Sequence, residues 1–468
     1  MTRASLSLLS AVLLLPLTGC DLNVTDPDII TPDNLGGASA LPTIRAAAIG
    51  DFALSYAGSG ADGSSGTEGI VTMGGLLGDE FINSETFPTR IEIDRRSIQV
   101  INGTLAGWFR TISRARRSAE FAAGRFRALS DTTKDTGLSE MLGLAGYTYL
   151  WFAEHWCSGV PFTTINPDGS LTYGQPLTTQ QMFDTAANRF TQALSAANAL
   201  NLTGNAAAAK TRMINLAKVG LGRTLLNQAN FAGAQAAVSG VATSFVYTIQ
   251  HSETSTRENN GVFVATVVSQ RYSVADREGI NGLAYRTGGD TRVPFIRSTS
   301  PANGNGFDAI TPQYNPRRYT DRKSPIPLAT GAEARLIEAE AFLQAGDTVD
   351  FRATHDSLRA KPPTYFNAPD PSVPPVAAMG PLPRFDTLSV VGRQDLHFTE
   401  RELWLWLTAH RLGDLRRLAR APYNRPPESV FPSGPYFKGG VYGTDYNFPV
   451  PFDETNNPNF AHCIDRNP

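Results

Sequence analysis

The sequence is poor in the residues that build metal and nucleophile sites. Its 468 residues hold three cysteines and six histidines. The histidines stand singly, with no His-Glu-x-x-His and no paired Cys/His spacing, which argues against a structural zinc site. There is no Gly-x-Ser-x-Gly elbow, no GxxxxGKS/T phosphate loop, and no dinucleotide fingerprint opening a helix after a strand. The Gly-rich stretches "GSGADGSSG" and "ANGNGFDAI" lack the strand-to-helix setting and read as loops. Charge of one sign is missing too. Lys and Arg total 41 against 43 Asp and Glu, for a formal net charge of −2. That balance leaves no electrostatic footprint for nucleic acid. No apolar run reaches the roughly 20 residues needed to span a bilayer. What is present is a chain with 41% hydrophobic residues, long enough for a large core, with no cofactor indicated.

The N-terminus carries the first positive signal. Arg3 precedes an apolar run from Leu6 to Leu17, broken by Ser7, Ser10 and Pro16. A short apolar run behind a basic start, ending in small residues, is a secretory signal. Leu17-Thr18-Gly19-Cys20 also fits the bacterial lipobox, in which the cysteine is lipidated and the chain is cut before it. Residues 1–19 are thus read as a lipoprotein signal peptide and Cys20 as the lipidation site. The alternative is an ordinary signal with a chance cysteine. Stable anchoring needs more than one acyl chain, and a triacylated Cys20 meets that condition. Residues 20–40, rich in Pro, Asp and Gly, read as a lipidated tether. The mature protein would then be soluble, tethered and outside the cytoplasm. Cys157 and Cys463 form an even pair for an oxidising compartment, either as a disulfide pinning the C-terminus or as two free buried thiols.

Helical periodicity dominates much of the remainder. Helices are expected over 41–56, 103–129, 137–156, 178–200 and 206–229. In 103–129, Trp108, Ile112, Ala115 and Ala119 share one face. Residues 216–238, "LAKVGLGRTLLNQANFAGAQAAV", have the offsets of a tetratricopeptide repeat. There Gly222 and Ala234 allow close helix approach, and Phe231 wedges the turn. Residues 333–351, "EARLIEAEAFLQAGDTVDF", repeat the spacing with Ala339, Phe342 and Gly346. The fold class expected is mainly α, a tetratricopeptide-type helical-repeat scaffold with long loop-rich insertions. Residues 251–330 keep neither period and read as an insertion of loops and short strands, which at that length is usually functional. Residues 361–385 form a Pro-rich loop, and 421–468 end as turn-rich coil.

Several segments, taken in order, resemble the SusD/RagB-like outer-membrane lipoproteins of nutrient uptake. "WFRTISRARRSAEF" (108–121) resembles an early family helix. "LAGYTYLWFAEHWCSGVPF" (144–162) resembles its aromatic helix and Gly-x-Pro turn. "ARLIEAEAFLQAGD" (334–347) resembles its repeat helix, with "HDSLRA" as a weak counterpart of the short helix that follows. "TERELWLWLTAHRLGDLRRL" (399–418) and "NFPVPFDETNNPNF" (447–460) resemble its late helix and C-terminal tail. The resemblance implies one SusD-like helical domain over 41–468, with its insertion at about 251–330, lipid-anchored at the outer membrane and exposed on the surface. It implies capture of a glycan, peptide or similar nutrient for a SusC-like TonB-dependent transporter, without catalysis. Asp21, directly after Cys20, departs from the pattern because it can signal inner-membrane retention. The Cys157/Cys463 pair is a second departure.

"HRLGDLRRL" looks chemical but has no nucleophile or acid beside it. Arg411 and Asp414, at i and i+3 on the helix read over 399–418, can pair. Leu403, Trp406, Leu407 and His410 should face inward, so the stretch is read as structural. Ligand capture asks for aromatic rings against apolar sugar faces and for polar groups against hydroxyls, held on loops over a rigid scaffold. Two regions fit. The first, 78–90, offers Asp79, Phe81, Asn83 and Phe87. The second, 272–319, offers Tyr272, Tyr285, Arg292 and Tyr314. No catalytic or metal-binding residue is indicated. Two other functions remain open: a repeat scaffold that holds envelope proteins, and a surface-anchored hydrolase using two carboxylates.

Overall fold

The computed structural model describes residues 36–60, 68–166, 168–301, 303–383 and 385–468. The signal peptide, Cys20, most of the tether and residues 61–67, within and just after the stretch "GSGADGSSG", lie outside the described residues. The helices are α1 (Leu41–Ala57), α2 (Ile70–Leu77), α3 (Pro88–Asp94), α4 (Gly103–Leu129), α5 (Gly137–His155), α6 (Thr179–Asn198) and α7 (Ala207–Asn227). They continue with α8 (Phe231–Val238), α9 (Gly261–Phe263), α10 (Gly331–Ala345), α11 (Thr348–Ala360), α12 (Val390–Leu405), α13 (Arg411–Ala419) and α14 (Pro427–Val430). Among the described residues none is long and apolar enough to cross a membrane.

The scaffold is helical, as the periodicity predicts. Asn102 caps α4 by accepting a bond from Leu105 N, which sets its start at the expected residue. Thr178 and Gln181 form a reciprocal capping box on α6. Consecutive helices pack as neighbours in a row, α4 on α5, α5 on α6, α6 on α7, α7 on α8, then α8 on α10 and α10 on α11. α5 lies at the centre, with every residue buried. A helix apolar on all sides requires neighbours on all sides. Small residues bring these neighbours close. A Cβ on Gly146 of α5 would stand 2.9 Å from the Phe190 ring, and one on Gly220 of α7 would overlap that ring outright. The Phe190 ring of α6 therefore sits between two glycines. Gly222 plays the expected part at the α7/α8 contact, where a Cβ would run into Val238.

Between α8 and α10 the chain becomes loops and two-stranded pieces, as the loss of periodicity predicts. Phe81–Asn83 pairs antiparallel with Tyr272–Val274, and Phe295–Arg297 with Tyr314–Pro316. Val246–Ile249 pairs with Ile326–Thr330 and returns the chain to α10. Cys157 and Cys463 are bonded, with Cα atoms 6.0 Å apart and a sequence separation of 306. Beside them, Cys157 N donates to Phe448 O and Ile464 N to Ser158 O, so the C-terminal tail is fastened across the end of α5.

Two expectations for 399–418 need correction. The segment is not one helix, because α12 ends at Leu405 and α13 begins at Arg411. Leu407 and Ala409 have positive φ, 56° and 62°. Side chains from elsewhere take up the freed backbone. Leu407 N donates to the Glu80 carboxylate, Tyr319 OH to Leu407 O, and Tyr56 OH to Thr408 O. Nor do Arg411 and Asp414 pair. Arg411 grips Asp79 of the early loop, and Asp414 is held by Arg401 at 2.9 Å and by Arg417 at 2.9 Å. The Asp414 and Glu340 carboxyls are buried, which pushes them up, but the adjoining arginines hold both far below the usual range. The segment is a buried ionic lattice, as its structural reading anticipates, with Trp406, Leu407 and His410 inside.

Candidate functional site

The strand pair Phe81–Asn83/Tyr272–Val274 joins the two regions chosen from sequence. Its register sets Asn83 opposite Tyr272 and Phe81 opposite Val274. A third segment, 432–443, closes the far side. Lys438 fixes it there, donating to Asn83 Oδ1 at 2.9 Å, Glu85 O at 2.7 Å and Asp308 Oδ2 at 2.9 Å. Between the three segments lies a groove of about 870 Å³, the size of a small-molecule or oligomer site. Ile82, Ile91, Ile310, Phe437 and Tyr442 give it apolar wall, while Asp276, Arg277, Arg286, Asp308 and Lys438 give it charge. Ile310 and Phe437 are open to solvent, at 80% and 45%.

A buried carboxyl pair underlies this groove. Glu278 and Asp94 lie close enough for their carboxyls to interact. Tyr442 OH donates to Glu278 Oε1 at 2.7 Å, and Tyr436 OH to Asp94 Oδ2 at 2.8 Å. Asn83 N donates to the same Asp94 oxygen at 2.9 Å. Burial pushes Asp94 up to about 6 against these bonds. Glu278 is pushed well above its usual range by burial and by Asp94. Burial and mutual repulsion therefore make the pair hold a proton more tightly than two exposed carboxyls would. Burial also works to raise Asp308, yet bonds from Lys438 and Thr311 hold it below its ordinary value.

The eight residues chosen from sequence divide unequally. Asp79, Phe81, Asn83, Tyr272, Tyr285 and Arg292 are buried. Asp79 accepts from Arg411, Tyr285 OH and Leu283 N. Tyr285 OH also bonds Glu402 at 2.7 Å. Arg292 is held between Asp290 and Glu400, with its guanidinium over the Trp404 ring. These six support the walls from behind: the polar atoms of Asp79, Tyr285 and Arg292 are taken up inside, while Asn83 Nδ2 and Tyr272 OH are buried without a hydrogen-bond partner among the described residues. Phe87 and Tyr314 are half-buried. Phe87 lies between the guanidiniums of Arg90 and Arg271, and Tyr314 between those of Arg286 (3.8 Å) and Arg297 (5.1 Å). None of the eight lines the groove itself; the residues that do, and were not singled out, include Arg277, Arg286, Asp308, Phe437, Lys438 and Tyr442. The signal for the last three was the run "PYFKGGVYG", aromatic and basic residues set among turn-forming glycines.

No family model matches the sequence, and no curated protein matches it. Solved structures do match. A laminarin-binding SusD-like protein superposes with a TM-score of 0.62 at 13% identity, over 92% of this chain and 99% of its own. A SusD/RagB family protein from Bacteroides thetaiotaomicron gives 0.62 at 12% identity, over 90% and 94%. A SusD-like carbohydrate-binding protein from Bacteroides fragilis gives 0.58 at 14% identity, over 89% and 98%. At such identities the likeness lies in the path of the chain, and along nearly its whole length that path agrees with the order of motifs read from the sequence. The fold of this chain is that of the SusD/RagB-like proteins.

Proposed function

We propose that the protein is a surface lipoprotein, anchored through Cys20 at the outer membrane, that captures an oligosaccharide and delivers it to a SusC-like TonB-dependent transporter. Residues 41–468 act as the binding unit. The observation that carries this reading is the groove, an open cleft with the exposed Phe437 ring and the Ile310 side chain beside cations and carboxylates. Sugars offer apolar CH faces to such rings and hydroxyls to such charges. That structural neighbours are described as laminarin-binding and carbohydrate-binding supports a sugar over a peptide. A binding role without turnover fits the carboxyl pair. Glycosidases hold their two carboxyls about 5–5.5 Å or about 6.5–9.5 Å apart about the scissile bond, whereas Asp94 and Glu278 are both buried beneath the groove.

Titration calorimetry against a panel of neutral oligosaccharides and peptides tests the reading. Phe437→Ala and Arg286→Ala are expected to weaken the ligand that binds by about tenfold or more, which is about 1.4 kcal/mol. The ligand should be recovered uncut. Failure of every oligosaccharide to bind, or its cleavage, would refute capture without catalysis. A barrel transporter should co-purify from membranes, and a soluble partner in its place would favour the scaffold role.

A further inference from the structure

A second groove lies along α4, distinct from the first in every residue that lines it. One part, of about 810 Å³, continues through Arg116, Arg117, Thr163 and Ile165 into a smaller part of about 270 Å³. α4 forms one wall, and the short hairpin of Thr164–Ile165 and Leu171–Thr172 lies along the other. Arginines dominate it. Arg110, Arg114, Arg116, Arg117, Arg125 and Arg189 line the two parts, against two carboxylates, Glu120 and Glu454. Glu120 is occupied by Arg189 at 2.7 Å. Arg110 reaches Asp453 at 3.1 Å in an exposed pair of small worth. Arg125 donates to Gly36 O at 2.7 Å.

Three of these cations are uncompensated. Arg114 and Arg117 are exposed, and neither makes a hydrogen bond or ion pair among the described residues. Arg116 is 8% exposed and carries its charge inside the wall without a carboxylate. Among the described residues its terminal nitrogens reach Tyr149 OH at 3.4 Å and Thr163 O at 2.9 Å, its Nε has no hydrogen-bond partner, and its guanidinium faces the Tyr149 and Phe162 rings but no carboxylate. A buried guanidinium left without a counter-charge is a costly feature for a fold to keep, and anions satisfy it best through charge-assisted bonds. Arg110, Arg114 and Arg117 follow one face over two helical turns, a rise of about 10 Å. That presents positive charge at intervals along an extended chain. Phe121, 51% exposed, and Ile165, 45% exposed, add apolar surface beside the charges.

We propose that this groove is a second carbohydrate site, taking acidic oligosaccharides whose units carry carboxylate or sulfate groups. The sugar class rests on the proposed function; the anionic requirement rests on the arginines alone. A concave groove favours an extended polymer over a membrane surface, which is met by convex patches. The hairpin strands are two residues each, so their outer edges are too short to pair with an extended peptide backbone.

The test uses the full chain in a detergent without sugar headgroups. It is titrated with oligogalacturonates, chondroitin sulfate oligosaccharides and neutral laminarin oligosaccharides. One or both acidic series should bind, more weakly as salt rises. Arg114→Glu/Arg117→Glu should lower that affinity by about tenfold or more and leave neutral-glycan binding unchanged. Phe437→Ala should do the reverse. Arg116→Gln, which removes the buried charge, should weaken acidic binding without altering neutral binding. Failure of both acidic series while a neutral glycan binds would overturn this inference and leave the first reading intact. Acidic binding insensitive to Arg114→Glu/Arg117→Glu, or abolished by Phe437→Ala, would also overturn it. So would binding of phosphatidylglycerol in the micelles without binding of either acidic sugar.

Discussion

Buried charge defines this protein at the level of single residues. Asp79 and Arg411 come from segments 332 residues apart and meet with neither open to solvent. Removing one partner of such a pair leaves the other charge stranded. Asp79→Ala is expected to cost about 3–5 kcal/mol in denaturant unfolding, well beyond the loss of an exposed ion pair. Two sets of carboxyls give stability opposite pH slopes. Glu340 and Asp414 have folded pKa values far below their unfolded ones, so their contribution is present above about pH 4–5 and lost as the pH falls. Asp94 is raised to about 6 and Glu402 to about 7. The folded state binds protons there that the unfolded state has released, so stability is lost as pH rises from about 4 to 7. Asp94→Asn removes one such site. Melting curves of this variant should fall less steeply between pH 4 and 6 than those of the parent, and an unchanged slope would show that Asp94 ionises normally.

Elements are set by packing more than by propensity. α5 has aromatic residues along much of its length, yet it forms because α4, α6 and α7 cover it and because glycines admit Phe190. Gly220→Ala places a methyl where the ring stands. Overpacking of this kind costs about 1–3 kcal/mol, and the variant should melt earlier with its helical circular dichroism retained. The break between α12 and α13 shows the opposite influence. "TERELWLWLTAHRLGDLRRL" has no glycine until Gly413 and no proline, so nothing local announces a stop. The stop arises because Glu80, Tyr319 and Tyr56 bind the backbone of residues 407 and 408, contacts that exist only after folding.

At the scale of the whole molecule, the helices form a platform and the long insertion folds back on it. The disulfide closes a very long loop. In the chain-entropy model such a closure is worth up to about 5 kcal/mol. Cys463→Ser, or reduction of the parent, should lower stability by about 2–5 kcal/mol and free the 447–468 tail to early proteolysis. A tail that stays protected after reduction would mean that its backbone bonds to 157–159 suffice alone.

Period and composition alone determined the helical scaffold. The 3.6-residue repeat in 103–129, the small-large spacing around Gly222 and Ala234, and the aperiodic stretch 251–330 are local properties, and a helix or loop follows from each without reference to distant residues. Motif order along the chain likewise carried the family resemblance. The placement of the candidate site was legible by region, since 78–90 and 272–319 do meet through a strand pair. Which side chains face outward was not legible. Asp79, Tyr285 and Arg292 have the chemistry of ligand contacts, yet tertiary folding brings Arg411, Glu402 and Glu400 to them and closes them off. Phe437 and Lys438 looked like tail coil until the chain's last turns came to lie against Asn83 and Asp308. Burial and charge pairing are relations between residues far apart in sequence, so only the folded chain decides them.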